Sequence, residues 1–281
     1  MKGVFTHMKT KVEQFREAHK KNKPLILLNI WNVESAKALS EVGIKLLPTG
    51  SYAISDFYGY QDGENISLTE LLNYVSEMGT QDSFVTVDIE SGYGTSVTDL
   101  NATVEQVVAS GAIGINIEDK IPNTTMLYSI EAQQERLLSI KSKLIEMNRD
   151  LFINVRTDMY FVGDISQNNQ DEKLLKQTIE RINSYEKTGI DGIFIPGLKN
   201  KEHIKRIVQE TKLPINLMLD IQADRLEDYL DLGISRISYG PSLYFLYNEQ
   251  SKNSLVDFYR SLLKEFIPYQ EQEKIELFRQ G

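Results

Sequence analysis

The stretch "VTVDIESGYG" (85–94) sets two carboxylates, Asp88 and Glu90, two residues apart at the end of a β-branched run. In a strand, side chains at i and i+2 point to the same side, so both acids would share one face while Val87 and Ile89 fill the other. Neighbouring carboxylates repel and raise each other's pKa unless a cation or several donors lie between them. The pattern therefore asks for a metal ion or a proton-transfer role. Gly92 and Gly94, either side of Tyr93, let the backbone turn tightly and bring amide groups close to a ligand.

Other apolar runs finish on similar groups. "AIGINIED" (112–119) ends on Glu118 and Asp119, followed by Lys120, and "LFINVRTD" (151–158) ends on Arg156, Thr157 and Asp158. Carboxylates with one arginine suit a hard divalent cation such as Mg²⁺ beside an oxyanionic ligand, because oxygens hold Mg²⁺, often through waters, and guanidinium grips a carboxylate or phosphate at two points. The structural alternative is a buried ion-pair network that seals one end of the fold. Lys120 could act as an acid or stabilise a leaving group; its alternative is a salt bridge to Asp119. The three histidines, His7, His19 and His203, lie in charged helical segments where helix-face roles are expected, so a Ser-His-Asp or histidine-zinc site lacks parts.

These residues must be positioned by a regular scaffold, and eight short apolar runs supply one: 24–30, 44–50, 83–90, 112–119, 151–158, 191–197, 213–219 and 234–240. Between them apolar residues fall at three and four spacing, as in "EAQQERLLSIKSKLIEM", which is the helical period. "SEVGIK", "VASGAI", "EKTGID" and "LDLGIS" each place a glycine at a helix-to-strand turn, where a left-handed cap is needed. Alternating strands and helices imply a parallel sheet buried on both sides, and eight units predict an α/β fold of the closed (β/α)₈ barrel type; a doubly wound open sheet is the alternative. No Pro-, Gly- or Ser-rich linker divides the chain, so a single domain over 1–281 is expected. It has an N-terminal helical extension (1–22, helix Thr10 to Lys20) and C-terminal helices over 241–281. The apolar surplus of that tail points to a homo-oligomer; the alternative is that the tail packs only on its own barrel.

In such a barrel the site gathers at the C-terminal strand ends. The candidates there are Asn29, Trp31 and Asn32; Thr49, Gly50, Ser51 and Tyr52; Asp88 and Glu90; Glu118, Asp119 and Lys120; Arg156; and Asn216. Bulk composition narrows the partner. Lys and Arg number 31 against 40 Asp and Glu, with a formal charge of −9 and no basic block, which argues against nucleic acid and for a small ligand. The chain has no cysteine, which excludes disulfides, thiolate zinc sites and thiol nucleophiles and suits the cytoplasm. The start lacks the apolar core of a secretory signal, and no run approaches the roughly 18 apolar residues of a membrane span.

"LPTGSYAISDFYGYQDGENIS", "VTVDIESGYG", "GAIGINIEDK", "INVRTD" and "GIDGIFIPGL", in this order and at these intervals, resemble the isocitrate lyase and phosphoenolpyruvate mutase superfamily, from about Lys23 to Tyr244. The resemblance implies an Mg²⁺-dependent (β/α)₈ barrel, commonly a dimer or tetramer with the last helix exchanged between subunits, that makes or breaks a C–C or P–C bond next to a 2-oxo acid through a pyruvate enolate. By position it makes Asp88 the principal metal-site carboxylate, with Asp62, Glu90 and Glu118 completing a mostly water-mediated shell. Gly50 and Ser51 would offer N–H groups to the substrate, Arg156 would clamp its charged end, and Asn216 would add a polar contact. Thr49 and Tyr52 border the same place.

Departures from the family narrow the reaction. The isocitrate and methylisocitrate lyases carry a Lys-x-Cys-Gly-His loop after strand four, whereas this chain reads "EDKIPNTTMLYS", so those two activities are not expected. Asn123, Thr124 and Thr125 occupy a shortened version of the mutases' gating loop, with Asn123 and Thr125 as candidate substrate contacts, and Pro196 stands where the mutases use a histidine. The expectation is a short-loop member acting on a small 2-oxo or phosphono acid. Two other readings stay open: a phosphate-binding aldolase or isomerase using "SYGP" (238–241) as an anion cradle, and a non-catalytic ligand-binding barrel.

Overall fold

The computed structural model describes residues 9–80, 82–250 and 254–279; His7 therefore lies outside the described residues. The eight strands fall inside the eight apolar runs: β1 Leu25–Leu27, β2 Leu46–Pro48, β3 Phe84–Asp88, β4 Gly114–Glu118, β5 Phe152–Arg156, β6 Gly192–Ile195, β7 Ile215–Met218 and β8 Arg236–Ser238. All neighbours pair in parallel, in the order β1-β8-β7-β6-β5-β4-β3-β2. A parallel bridge between Ile30 and Thr49 joins β1 to β2 and closes the barrel.

The outer layer comprises α1 Lys11–Ala18, α2 Val33–Glu41, α3 Ser51–Phe57, α4 Leu68–Met78, α5 Val97–Ala109, α6 Ile130–Glu146, α7 Ile165–Asn168, α8 Glu172–Glu186, α9 Lys201–Glu210, α10 Ser242–Gln250 and α11 Leu255–Glu271. Between β7 and β8 the chain makes only 3₁₀ turns, Leu226–Asp228 and Leu230–Leu232. Thr10, Ser67 and Ser96 start α1, α4 and α5 with reciprocal capping boxes to Glu13, Glu70 and Asp99, each contributing about 1 kcal/mol. Gly43, Gly111, Gly189 and Gly233, the four glycines expected at helix-to-strand turns, all have positive φ.

Two separate cores result. Ile115, Ile117, Val155 and Ile193 face outward into the helices, while Leu25, Leu27, Leu46, Phe84, Ile113 and Phe152 pack with Val12 and Phe15 of α1 in the second core. The predicted N-terminal helix is thus the plug of the barrel's lower end, and His19 stacks on Phe152 there at 4.3 Å. Burial pulls the His19 imidazole down to about 3, so it stays neutral in the apolar plug. The chain after α11 returns to the barrel, where Glu276 bridges Leu25 and Arg279 bridges Ile44. Within the single chain α11 packs on α2. No described helix is long and apolar enough to cross a membrane.

Candidate active site

Above the apolar plug, the barrel interior is polar. Strand alternation turns Asn116 and Glu118 of β4, Asn154 and Arg156 of β5, and Arg236 and Ser238 of β8 inward. A barrel filled only for stability would carry branched aliphatic side chains at such positions. The space left over is a cavity of about 300 Å³ at the C-terminal mouth. Its wall includes Asn29, Thr49, Gly50, Ser51, Tyr52, Asp62, Asp88, Arg156 and Arg236.

Thr49 and Ser51 hold Asp88 in place. The Asp88 backbone N–H donates to Thr49 Oγ1 at 2.9 Å, and Ser51 Oγ donates to Asp88 Oδ2 at 3.1 Å. Asp88 Oδ1 accepts from the Glu90 N–H at 3.1 Å. Asp62 comes to the same cavity from the α3–α4 loop, and burial followed by the charge of Asp88 raises its pKa.

Glu90 departs from the simple strand expectation. β3 ends at Asp88, and Glu90 adopts φ +50°, so the two acids are neighbours without being an i, i+2 pair on one pleated face. The turn gives Glu90 its own partner: Oε2 accepts from the Glu64 N–H at 2.8 Å, while the buried Oε1 has none. Burial first, then the charge of Asp62, pushes the Glu90 carboxyl up to about 8. Glu118 is pushed up to about 7 by burial, against the pull of Arg156.

The Arg156 guanidinium is bound on two sides. Nε and Nη2 donate to Asp158 at 2.6 and 3.0 Å, and Nη1 lies 3.3 Å from Glu118 Oε2. Lys120 pairs with Glu118 at 3.7 Å; the salt bridge to Asp119 is not formed. Asp119 points away from the cavity, buried, accepting from the Asp158 N–H at 3.0 Å, Tyr185 Oη at 3.0 Å and Arg181 Nη1 at 3.2 Å. It is a structural carboxylate that ties β4 to α8.

The glycines of "SGYG" also serve packing. A Cβ on Gly92 would come 2.6 Å from Leu100 Cδ1, and one on Gly94 would come 2.2 Å from Asp99 Cβ. Their smallness lets the loop lie on α5, and neither lines the cavity. Glu90, Glu118, Lys120, Asn123, Thr125 and Asn216 are not part of the cavity wall. Sequence reasoning passed over Arg236, Asn116 and Asn154. The alternation in "ISRISYG" and "GINIED", which pairs Arg236 with Ser238 and Asn116 with Glu118, was the available signal.

Among the described residues, no three His, Asp or Glu side chains converge closely enough to ligate a cation directly. The donor set is nonetheless all hard oxygen, with one buried carboxylate oxygen unpartnered and two carboxyls raised by burial. That combination fits a cation held largely through water.

Comparison with known proteins agrees with this architecture. The sequence model of the phosphoenolpyruvate phosphomutase family matches residues 15–258. An uncharacterised protein of Mycobacterium tuberculosis is 26% identical over 82% of this chain and 83% of its own length. An oxaloacetate decarboxylase of Rhodopseudomonas palustris is 30% identical over 72% of this chain and 68% of its own length. Among solved structures, a candidate phosphonomutase from Burkholderia cenocepacia superposes with a TM-score of 0.81 at 32% identity, covering 86% of this chain and 97% of that one.

Proposed function

The chain belongs to the phosphoenolpyruvate phosphomutase family, within the wider superfamily of isocitrate lyases and phosphoenolpyruvate mutases, and from that premise we propose that it is an Mg²⁺-dependent enzyme. It breaks or transfers a C–C or P–C bond beside the carbonyl of a small 2-oxo acid. The observation that carries this reading is the convergence of Gly50, Ser51, Asp62, Asp88 and Arg156 on one cavity at the strand ends. The names oxaloacetate decarboxylase, of one relative, and candidate phosphonomutase, of one solved neighbour, refer to substrates of this class.

Asp62, Asp88, Glu90 and Glu118 would hold Mg²⁺, which when bound offsets negative charge developing on the 2-oxo acid. Ser51 and Thr49 keep Asp88 oriented through the two hydrogen bonds already described. Gly50 and Ser51 present backbone to the substrate, and Arg156, fixed by Glu118 and Asp158, supplies a rigid positive wall for its carboxylate. With oxaloacetate, the C3–C4 bond would break, its electron pair passing into the pyruvate enolate as CO₂ leaves; a proton then returns to C3. Lys120, paired to Glu118, is the candidate acid.

The test is pyruvate formation from oxaloacetate, phosphonopyruvate and alkylmalates, with Mg²⁺ and with excess chelator. Turnover of one class that chelator abolishes supports the proposal. Turnover unaffected by chelator, or none with any of the three, defeats it.

A further inference from the structure

Asp62 reaches the cavity from residues 58–67, the link between α3 and α4. It lies near Asp88, a charge of the same sign, so without a cation the two carboxylates push each other apart. The link must be held inward by other contacts. Near its ends Tyr60 donates its hydroxyl to Glu70 at 2.8 Å, and Ile66 is buried in the core. Between them, among the described residues, the hydrogen bonds that tie 61–65 to the rest of the barrel all belong to Glu64. Its N–H donates to Glu90 Oε2 at 2.8 Å, and its Oε1 accepts from Ser91 Oγ at 2.6 Å and from the Tyr93 N–H at 2.9 Å.

The backbone on both sides of this contact is unusual. Glu64 has φ +61°, and in the turn it grips Glu90 has φ +50° and Tyr93 φ +55°. Residues other than glycine rarely adopt this conformation, and they persist in it where surrounding contacts dictate it. The reciprocal bonds between Glu64 and residues 90–93 are such contacts. Arg136 of α6, which is buried, grips the same turn by donating to the Ser91 and Gly94 carbonyls while lying over the Tyr128 ring. Ser91 therefore gives its hydroxyl to Glu64 and its carbonyl to Arg136. Glu64 is not part of the cavity wall, so any effect it has on the site passes through Asp62 and Glu90.

We propose that Glu64 is a positioning residue for the cation site: it latches the link that carries Asp62 onto the turn that carries Glu90, so that the two acids keep a fixed separation before a cation arrives. The same contact takes up Glu90 Oε2 and leaves Oε1 as its unpartnered oxygen. The cation rests on the proposed function; the latch rests on the three hydrogen bonds.

Two measurements on the full chain test this. Hydrogen exchange in chelator needs no cation: E64A should speed exchange of the amides of 61–65 and of 90–94 together, by roughly tenfold or more, with β5 and α8 unchanged. E64Q, which keeps an oxygen for the Ser91 and Tyr93 donors, should keep most of the protection. Calorimetric titration with Mg²⁺ alone then reads the positioning: E64A should weaken binding roughly tenfold, because the acids are no longer preorganised. S91A, which removes one of the three bonds, should weaken it roughly threefold, and E64Q should stay close to the wild type. Unchanged exchange in folded E64A overturns the latch, and Mg²⁺ affinity unchanged in E64A overturns the positioning role. E64Q as weak as E64A also overturns it, since the charge and not the latch would then be at work. Where E64A fails to fold, S91A decides by the same two readouts. Absence of Mg²⁺ binding in the wild type defeats the proposed function and the positioning role with it, whereas binding by the wild type that E64A leaves intact defeats this proposal alone.

Discussion

Ser51, the first residue of α3, donates its hydroxyl to the Asp88 carboxylate at the end of β3, 3.1 Å away. This bond crosses from one barrel stave to the next and fixes the acid on which the proposed metal site depends. Asp88→Ala is expected to lower Mg²⁺-dependent turnover at least roughly 100-fold with an unchanged far-UV CD spectrum. Ser51→Ala, which only frees the carboxylate, should lose roughly tenfold. Pyruvate release measures both, and full activity in Asp88→Ala would remove the metal assignment.

Removing metal should make stability fall with rising pH. Glu90 and Glu118 are raised to about 8 and about 7 in the folded chain, against 4.5 for an ordinary glutamate. Above 4.5 the unfolded chain sheds these protons while the folded chain still holds them, so stability declines across the window from 4.5 to 8 and levels off beyond it. At about 1.4 kcal/mol per pKa unit the two shifts set an upper bound of roughly 8 kcal/mol on the loss. Thermal melts in chelator between these limits should show the fall, and Mg²⁺ should flatten it. A Tm that rises with pH in chelator would contradict the assignment.

Asp119 is expected to matter for folding. Asp119→Ala leaves Arg181 and Tyr185 without their shared acceptor, and breaking such a buried pair costs on the order of 3 kcal/mol. Urea denaturation reads this directly. A loss below the error of that measurement would mean that Asp119 does not carry the link between β4 and α8.

Gly92 tests the packing role of the "SGYG" loop. Its φ of +109° and the 2.6 Å approach of a new Cβ to Leu100 should make Gly92→Ala less stable by about 1–3 kcal/mol. Chemical denaturation decides it. A neutral substitution would show that the loop has room to move.

The sequence by itself determined the barrel. Eight apolar runs with helical spacers and glycines at the returning turns are local signals, because strand alternation, helix period and left-handed caps are set by residues close in the chain. The same alternation marked Asp88, Glu118 and Arg156 as inward strand-end groups, and their common cavity follows from closure of the barrel. Tertiary structure decided which of these charges are already satisfied. Asp119 meets Arg181 and Tyr185, Arg156 meets Glu118 and Asp158, and Glu90 turns through φ +50° to meet the Glu64 amide. It also set Arg236 against Asn116, 120 residues away, in the cavity that Asp88 lines. Chain periodicity gives the face on which a charge lies, whereas its counterion depends on which distant stave the closed sheet brings opposite.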